Sequence, residues 1–480
     1  MKILDRESGK IFKGELAKRM VPDPNFWSMK LAAMLAAIVI GQGWARGDTP
    51  TTPAARVPTS IVHLDSGDVR GLLLGEARDI AAFKGIPYAA PPLGERRWKP
   101  PQSVPHWQGV RDCLEFGPAC PQVVPLLLAA VPEMAIRTPT SEDCLYINVW
   151  TPANHQGKKL PVLYWIYGGG FIMGATSQPL YDGEALSRLG CVVVSANYRV
   201  GLLGFLAHPV LSAESPDHVS GNYGPLDQIE GLRWVKRNIA AFGGDPDRVT
   251  IFGESAGGIS VLALMVAPQT RGLFHAAVAQ SAAAMDFAPL RAQTPEGRTT
   301  AEDSGRNYMT ACGLSGSADA AQLRKLTADQ LLKASPADGG VKSGAPPQLR
   351  PLSLPIGPTV DGKVILEEPR RAFTAGHEHP VPLIIGNTRD EMSMFLLAAR
   401  MPTDQESYLK LLQTELGDLA DPIAREYPGT NPAQIRASVI QLATELCFVE
   451  TTRYFARAHA RAGQKTLRYQ SCRNSRRGFL

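Results

Sequence analysis

Between residues 145 and 385 the chain repeatedly breaks from turn-rich or amphipathic sequence into short runs that are apolar on both faces. The runs fall at 145–150, 160–167, 192–196, 249–252 and 382–385. A strand with one wet face would alternate apolar and polar side chains. These runs do not, so each reads as a strand buried on both sides. Residues 227–240 read as a long helix, bounded by Pro225 before it and by FGGDP after it. Strands alternating with helices predict a largely parallel sheet covered on both faces, the α/β class. In such folds sites gather at the C-terminal ends of the strands. Residues 60–110 read as short strands and turns, and 83–94 (FKGIPYAAPPLG) holds too much proline for a helix. Residues 282–350 are rich in Ala, Ser, Gly, Asp and Thr, with a helical patch at 320–332. They read as a peripheral cap or insertion.

One run leads directly into chemistry. The strand at 249–252 is interrupted by Gly253-Glu254-Ser255-Ala256-Gly257, and an Ala/Leu/Val/Met-rich helical run follows at once. A bare G-x-S-x-G is an ordinary turn. Between a strand and a helix it predicts a nucleophile elbow, with Ser255 strained at its apex and its Oγ at the helix N-terminus. Gly253 and Gly257 are expected where any Cβ would strike the neighbouring backbone. Acyl transfer also needs donors for the oxyanion. Gly168-Gly169-Gly170, placed after the strand PVLYWI, can turn backbone N–H groups toward one, and Ala256 supplies a further N–H.

Composition narrows the setting. The net charge of +5 and the 44% apolar content are ordinary, and no basic run is interleaved with aromatics, which argues against a nucleic-acid partner. No apolar run is long enough to cross a bilayer. Residues 29–45 have the form of a secretory signal peptide: Lys30, a ten-residue apolar stretch at 31–40, then Gly43 and Ala45 as small residues at −3 and −1. Export to the periplasm or beyond is the expectation. Residues 1–28 are expected to be an upstream extension from an over-long gene, and 46–59 a linker. Of seven cysteines at least one must stay unpaired; Cys191, opening the run CVVVSA, is expected in the core. Cys120 and Cys144 bracket a stretch that a disulfide could close in an exported chain, a bridge contributing about 3 kcal/mol.

Four blocks carry a family resemblance: FKGIPYAAPPLG at 83–94, EDCLYINVW at 142–150, NYRVGLLGFL at 197–206, and GNYGPLDQIEGLRWVKRNIAAFGGDPDRVTIFGESAGG at 221–258. The chain resembles the type-B carboxylesterases, the cholinesterase-like and para-nitrobenzyl esterase-like branch of the α/β-hydrolases, over about residues 60–470. The resemblance implies an α/β-hydrolase fold with a helical cap region and no cofactor or metal. It implies Ser255 as nucleophile, Gly169, Gly170 and Ala256 as oxyanion donors, and Glu391 as the acid, in a stretch where Met392 replaces the family's glycine. It also pairs Cys144 with Cys120 and leaves Cys312 without a partner. In cholinesterases the loop closed by that first bridge carries a tryptophan that holds the choline cation. Residues 121–143 contain no aromatic at all. The implied substrate is therefore a small carboxylic ester with an apolar acyl or alcohol group, not a choline ester. The sequence leaves the oligomeric state open.

The family order is serine, acid, histidine. Of the nine histidines only His459 follows Glu391, in the helix-like FARAHARAG, and the family's histidine lies on a loop beyond the next strand. Here the strand-like 466–470 leads into SCRNSRRGFL, and no histidine matches. His377 and His379 precede the acid and read as loop residues. The expectation is an incomplete domain at 60–470, lacking the family's last strand and helices, with an aberrant tail at 471–480 left by a frameshift or a shortened paralogue. Two functions follow: an esterase built on Ser255 and Glu391 without its base, or an inactive or non-catalytic binding member. The intact elbow favours the first.

Overall fold

The computed structural model describes residues 56–471 apart from 126–128, 130, 156, 284–285, 292–298, 336–345, 348, 350–355 and 398, together with 3–5 and 10–12. The expected leader at 29–45 and the tail from 472 lie outside the described residues, as does most of 1–28 and of the linker at 46–59. The chain divides into two units, Met1–Gly47 and Asp48–Leu480. In the first, Ile3–Asp5 and Lys10–Phe12 pair antiparallel.

The second unit is organised by a ten-stranded mixed sheet. Its strands are β1 (Val57–Pro58), β2 (Leu72–Leu74), β3 (Ile80–Pro87), β4 (Tyr146–Pro152), β5 (Leu160–Ile166), β6 (Val192–Ala196), β7 (Gly244–Glu254), β8 (Ala276–Gln280), β9 (Leu383–Thr388) and β10 (Thr466–Ser471). They lie in the order β10-β9-β8-β7-β5-β6-β4-β3-β2-β1. From β6 to β10 every pair is parallel; from β6 outward through β4, β3, β2 and β1 every pair is antiparallel. All five expected strands are present. β7 begins five residues earlier than the apolar run at 249–252, because Gly244 already pairs with Leu160 across a bulge.

Within the parallel half, the strands inside the edge strand β10 have the two-sided burial that their sequence implies. Val162, Val192, Val194 and Ile251 are shut from solvent. The long helix α1 (Tyr223–Asn238) buries Ile229, Leu232, Trp234 and Val235. It starts before Pro225, which sits in its first turn, where a missing N–H costs nothing. The patch at 320–332 is not one helix but two, Ala320–Arg324 and Ala328–Ala334. Asp319 with Gln322, and Thr327 with Gln330, each form a capping box, and the second box restarts the backbone where a single helix was expected.

A buried ion pair ties α1 to the loop after β6. Asp227 Oδ2 accepts from the backbone N–H and Nε of Arg199 at 3.0 and 2.8 Å, and Oδ1 accepts from Nη2 at 2.8 Å. The side chains are 3% and 0% exposed. The preceding Tyr198 stacks on Tyr167 at 4.4 Å between ring centroids and exchanges hydrogen bonds with its backbone. That contact pins the chain at the end of β5, where the glycine run begins.

Cys120 and Cys144 are buried neighbours, and a hydrogen bond between their side chains raises the Cys144 thiol well above its usual range. The two sulfurs are not bonded to each other in the structure. Cys191 is buried in the core as expected, its thiol pushed up to about 12 by burial.

Candidate active site

β7 ends at Glu254 and α2 (Ala256–Val266) starts two residues later, so the whole reversal falls on Ser255. Ser255 adopts φ 57° and ψ −122°, a conformation that a side chain with a Cβ takes only under constraint. Three features supply the constraint. The Ser255 N–H donates to the Gln280 carbonyl at 2.9 Å, fixing the turn to the end of β8. A Cβ on Gly253 would lie 2.4 Å from the Gly257 oxygen, and one on Gly257 would lie 2.1 Å from the Ile166 oxygen. Finally, every residue of α2 is buried, so the helix cannot tilt away to relieve the turn. The Ser255 hydroxyl makes no capping bond to the helix it precedes, which leaves it available at a site of positive potential.

The glycine run lies against this turn. A Cβ on Gly168 would sit 2.6 Å from the Glu254 carbonyl oxygen and 3.1 Å from Ser255 Cβ. Only glycine allows that approach. Gly169 and Gly170 follow with φ 105° and 61°, and Phe171 continues the left-handed path at 62°. Among the described residues no protein acceptor takes the Gly169 or Gly170 N–H. The Ala256 N–H is at the first turn of α2, where helix geometry provides no partner.

Glu391 follows β9 and opens the short helix Met392–Phe395. Its Oε1 accepts a hydrogen bond from Ser281 Oγ and another from the Thr388 N–H, both at 2.6 Å. Burial raises the carboxyl above its ordinary range, and those two hydrogen bonds oppose the rise. Ser281 comes from the end of β8 with φ 48°, and its N–H donates to Gly386 of β9 at 2.7 Å. The acid is thus oriented by the strand between it and the elbow. Met392, where the resemblance implied glycine, is buried, and its N–H donates to Thr444 Oγ1 at 3.1 Å.

Two further groups face this region. Glu254, half-buried beside the nucleophile, has its carboxyl pushed up to about 8 by burial and then by the charge of Glu391. Tyr469 of β10 packs over Gly386, and its phenol is raised by burial and by Glu391 and Glu254. The sequence signalled neither. Glu254 occupies the variable position of the elbow motif, and Ser281 is one small residue in an Ala/Ser-rich stretch.

All nine histidines are described, and none is hydrogen-bonded to Ser255 or Glu391. His459 is 0% exposed, with Nδ1 2.7 Å from Glu378 Oε1 and Nε2 2.9 Å from the Val381 carbonyl. His379 is buried against Thr270 and the Ala267 carbonyl. His377 is exposed and meets Glu367.

A mixed sheet in this order, with a strained serine between a central parallel strand and a buried helix, defines an α/β-hydrolase. The chain belongs to the carboxylesterase family, whose sequence model matches residues 58–478. It is 38% identical over 423 residues to the fumonisin B1 esterase of Sphingopyxis macrogoltabida, covering 87% of this chain and 72% of that one. It is 39% identical over 384 residues to the para-nitrobenzyl esterase of Bacillus subtilis (strain 168), covering 78% and 72%. A solved structure of PNB esterase superimposes with a TM-score of 0.69 at 35% identity, covering 85% of this chain and 78% of the other. These matches make the chain a carboxylic-ester hydrolase by family.

Proposed function

We propose that the chain attacks small carboxylic esters through Ser255, with the N–H groups of Gly169, Gly170 and Ala256 receiving the oxyanion and Glu391 in the position of the triad acid. The observation that carries this reading is the elbow: φ 57° at Ser255, a hydroxyl that caps nothing, and a glycine run pressed against it. Strain of this kind costs about 1–3 kcal/mol and persists where the surrounding structure over-determines it. The names of the relatives, esterases of several different esters, support the substrate class. The nucleophile is built, and its usual base is not among the nine histidines. Replacement of Ser255 by alanine is expected to remove all hydrolysis of p-nitrophenyl butyrate above the spontaneous rate. Turnover that survives Ser255→Ala would place the chemistry elsewhere.

The same proposal includes export directed by residues 29–45. An oxidising compartment would convert the adjacent Cys120 and Cys144 into a disulfide. Peptide mapping of the exported protein without reductant is expected to recover 120 and 144 in one linked species. Two separately alkylated peptides would contradict it.

A further inference from the structure

A cavity of about 790 Å³ lies away from the elbow, and neither Ser255 nor Glu391 lines it. It opens between α3 (Pro369–Ala375), α4 (Ala420–Glu426), the end of α5 (Pro432–Thr444) and α6 (Glu450–Arg461). Its size falls in the range that encloses a small ligand. α5 passes into α6 through a π-turn at Glu445–Val449, an irregularity frequent at functional sites.

The lining combines two chemistries. Phe373, Ile423, Leu446 and Val449 make one part of it apolar. Arg453, Arg457 and Arg461 line it from α6, and all three are exposed. Their spacing of four puts them on one face of the helix over about 12 Å. On the other face Thr451, Thr452, Phe455 and His459 are buried. A helix face that is merely solvated usually interleaves acids with its bases at this spacing. Residues 451–471 contain no Asp or Glu at all. Among the described residues none of the three arginines has a carboxylate partner.

The two acids that line the cavity are engaged elsewhere. Glu450 holds Arg370 through both carboxylate oxygens at 3.1 Å. Glu445 accepts from Tyr427 Oη at 2.6 Å and from Gln441 Nε2 at 3.1 Å. Arg370 lies 3.9 Å over the Tyr454 ring, whose hydroxyl donates to the Arg370 carbonyl at 3.0 Å. That wall is fixed, while the arginine row keeps its charge. The excess reaches Arg468 of β10, whose guanidinium is held below its usual range by burial and then by Arg453 and Arg457.

We propose that this cavity binds an anionic amphiphile, a single alkyl chain with an oxyanion head. The head lies on the row of Arg453, Arg457 and Arg461, and the chain runs along Ile423, Leu446 and Val449. Arginine suits carboxylate and phosphate heads alike, because its planar fork offers two parallel N–H donors. A cationic head would add to the uncompensated charge, and an anion without a chain would leave the apolar wall in water. The acid released by hydrolysis of an apolar ester belongs to this class, but the site does not depend on that chemistry.

Calorimetric titration of the 480-residue protein with decanoate and with decyl phosphate, each below micelle formation, tests this. Both are expected to bind saturably. Decanoate should bind about tenfold more tightly than octanoate, because two more CH₂ groups are buried. Decyltrimethylammonium and acetate should not bind. Arg457→Glu is expected to weaken decanoate at least about tenfold, and Arg457→Lys much less. Arg457 is exposed, so neither replacement disturbs the core. Ile423→Asn should weaken decanoate and erase its advantage over octanoate. Binding that is the same in Arg457→Glu, as binding at the Ser255 site would be, overturns the inference. So does equal binding of decyltrimethylammonium. Binding confined to phosphatidylglycerol vesicles, with none of the monomeric amphiphiles, also overturns it and assigns the row to a membrane surface.

Discussion

At pH 7 the 480-residue protein is expected to hydrolyse p-nitrophenyl butyrate about 10⁵- to 10⁶-fold more slowly than the para-nitrobenzyl esterase of Bacillus subtilis. The magnitude is that of losing the histidine from a serine triad, which leaves only the oxyanion donors and substrate binding to lower the barrier. His459 cannot supply the base from its position. Its two ring nitrogens are committed to Glu378 and the Val381 carbonyl, and it is closed to solvent. His379 is held against Thr270 and Ala267. The check is a steady-state assay of both proteins with Ser255→Ala as the zero. Turnover within tenfold of the relative, abolished by Ser255→Ala, would show that one of the histidines reaches the nucleophile after all.

The largest effect on stability is expected at Asp227. Replacing it with alanine leaves the Arg199 guanidinium buried without its counter-charge, and removing one member of a buried pair costs about 3–5 kcal/mol. Three of the hydrogen bonds on Arg199 go with it. The joint substitution Arg199→Met with Asp227→Leu is expected to lose much less, because no orphaned charge remains. Urea unfolding of the three proteins measures this. A loss below about 1 kcal/mol for Asp227→Ala would mean that Arg199 escapes to solvent. Labelling of Ser255 should slow in the single variant too, since Arg199 follows Tyr198, whose stacking on Tyr167 sets the start of the glycine run.

The middle of the central sheet was legible because its strands there are buried on both faces and leave continuous apolar runs. The elbow was legible for a different reason. Gly253 and Gly257 are demanded by contacts of 2.4 and 2.1 Å to backbone oxygens, so the residue types themselves record the geometry. The break in the helix at 320–332 was missed because Thr327 is a poor signal until its side chain is seen to accept from Gln330. In the site, Ser255, Gly169, Gly170, Ala256 and Glu391 stood out by motif. Ser281, which donates to Glu391, and Glu254 did not. Their contributions come from contacts between strand ends far apart in sequence, which no local pattern encodes.

The central claim is that this fold holds a built nucleophile at Ser255 to which none of the nine described histidines is hydrogen-bonded. The most direct measurement is the site and rate of covalent labelling by a fluorophosphonate at pH 7, read by peptide mass spectrometry alongside para-nitrobenzyl esterase. The account predicts a single adduct on the peptide containing Ser255, formed orders of magnitude more slowly than in the relative and lost in Ser255→Ala. Labelling at the relative's rate, or an adduct on any other residue, would contradict it.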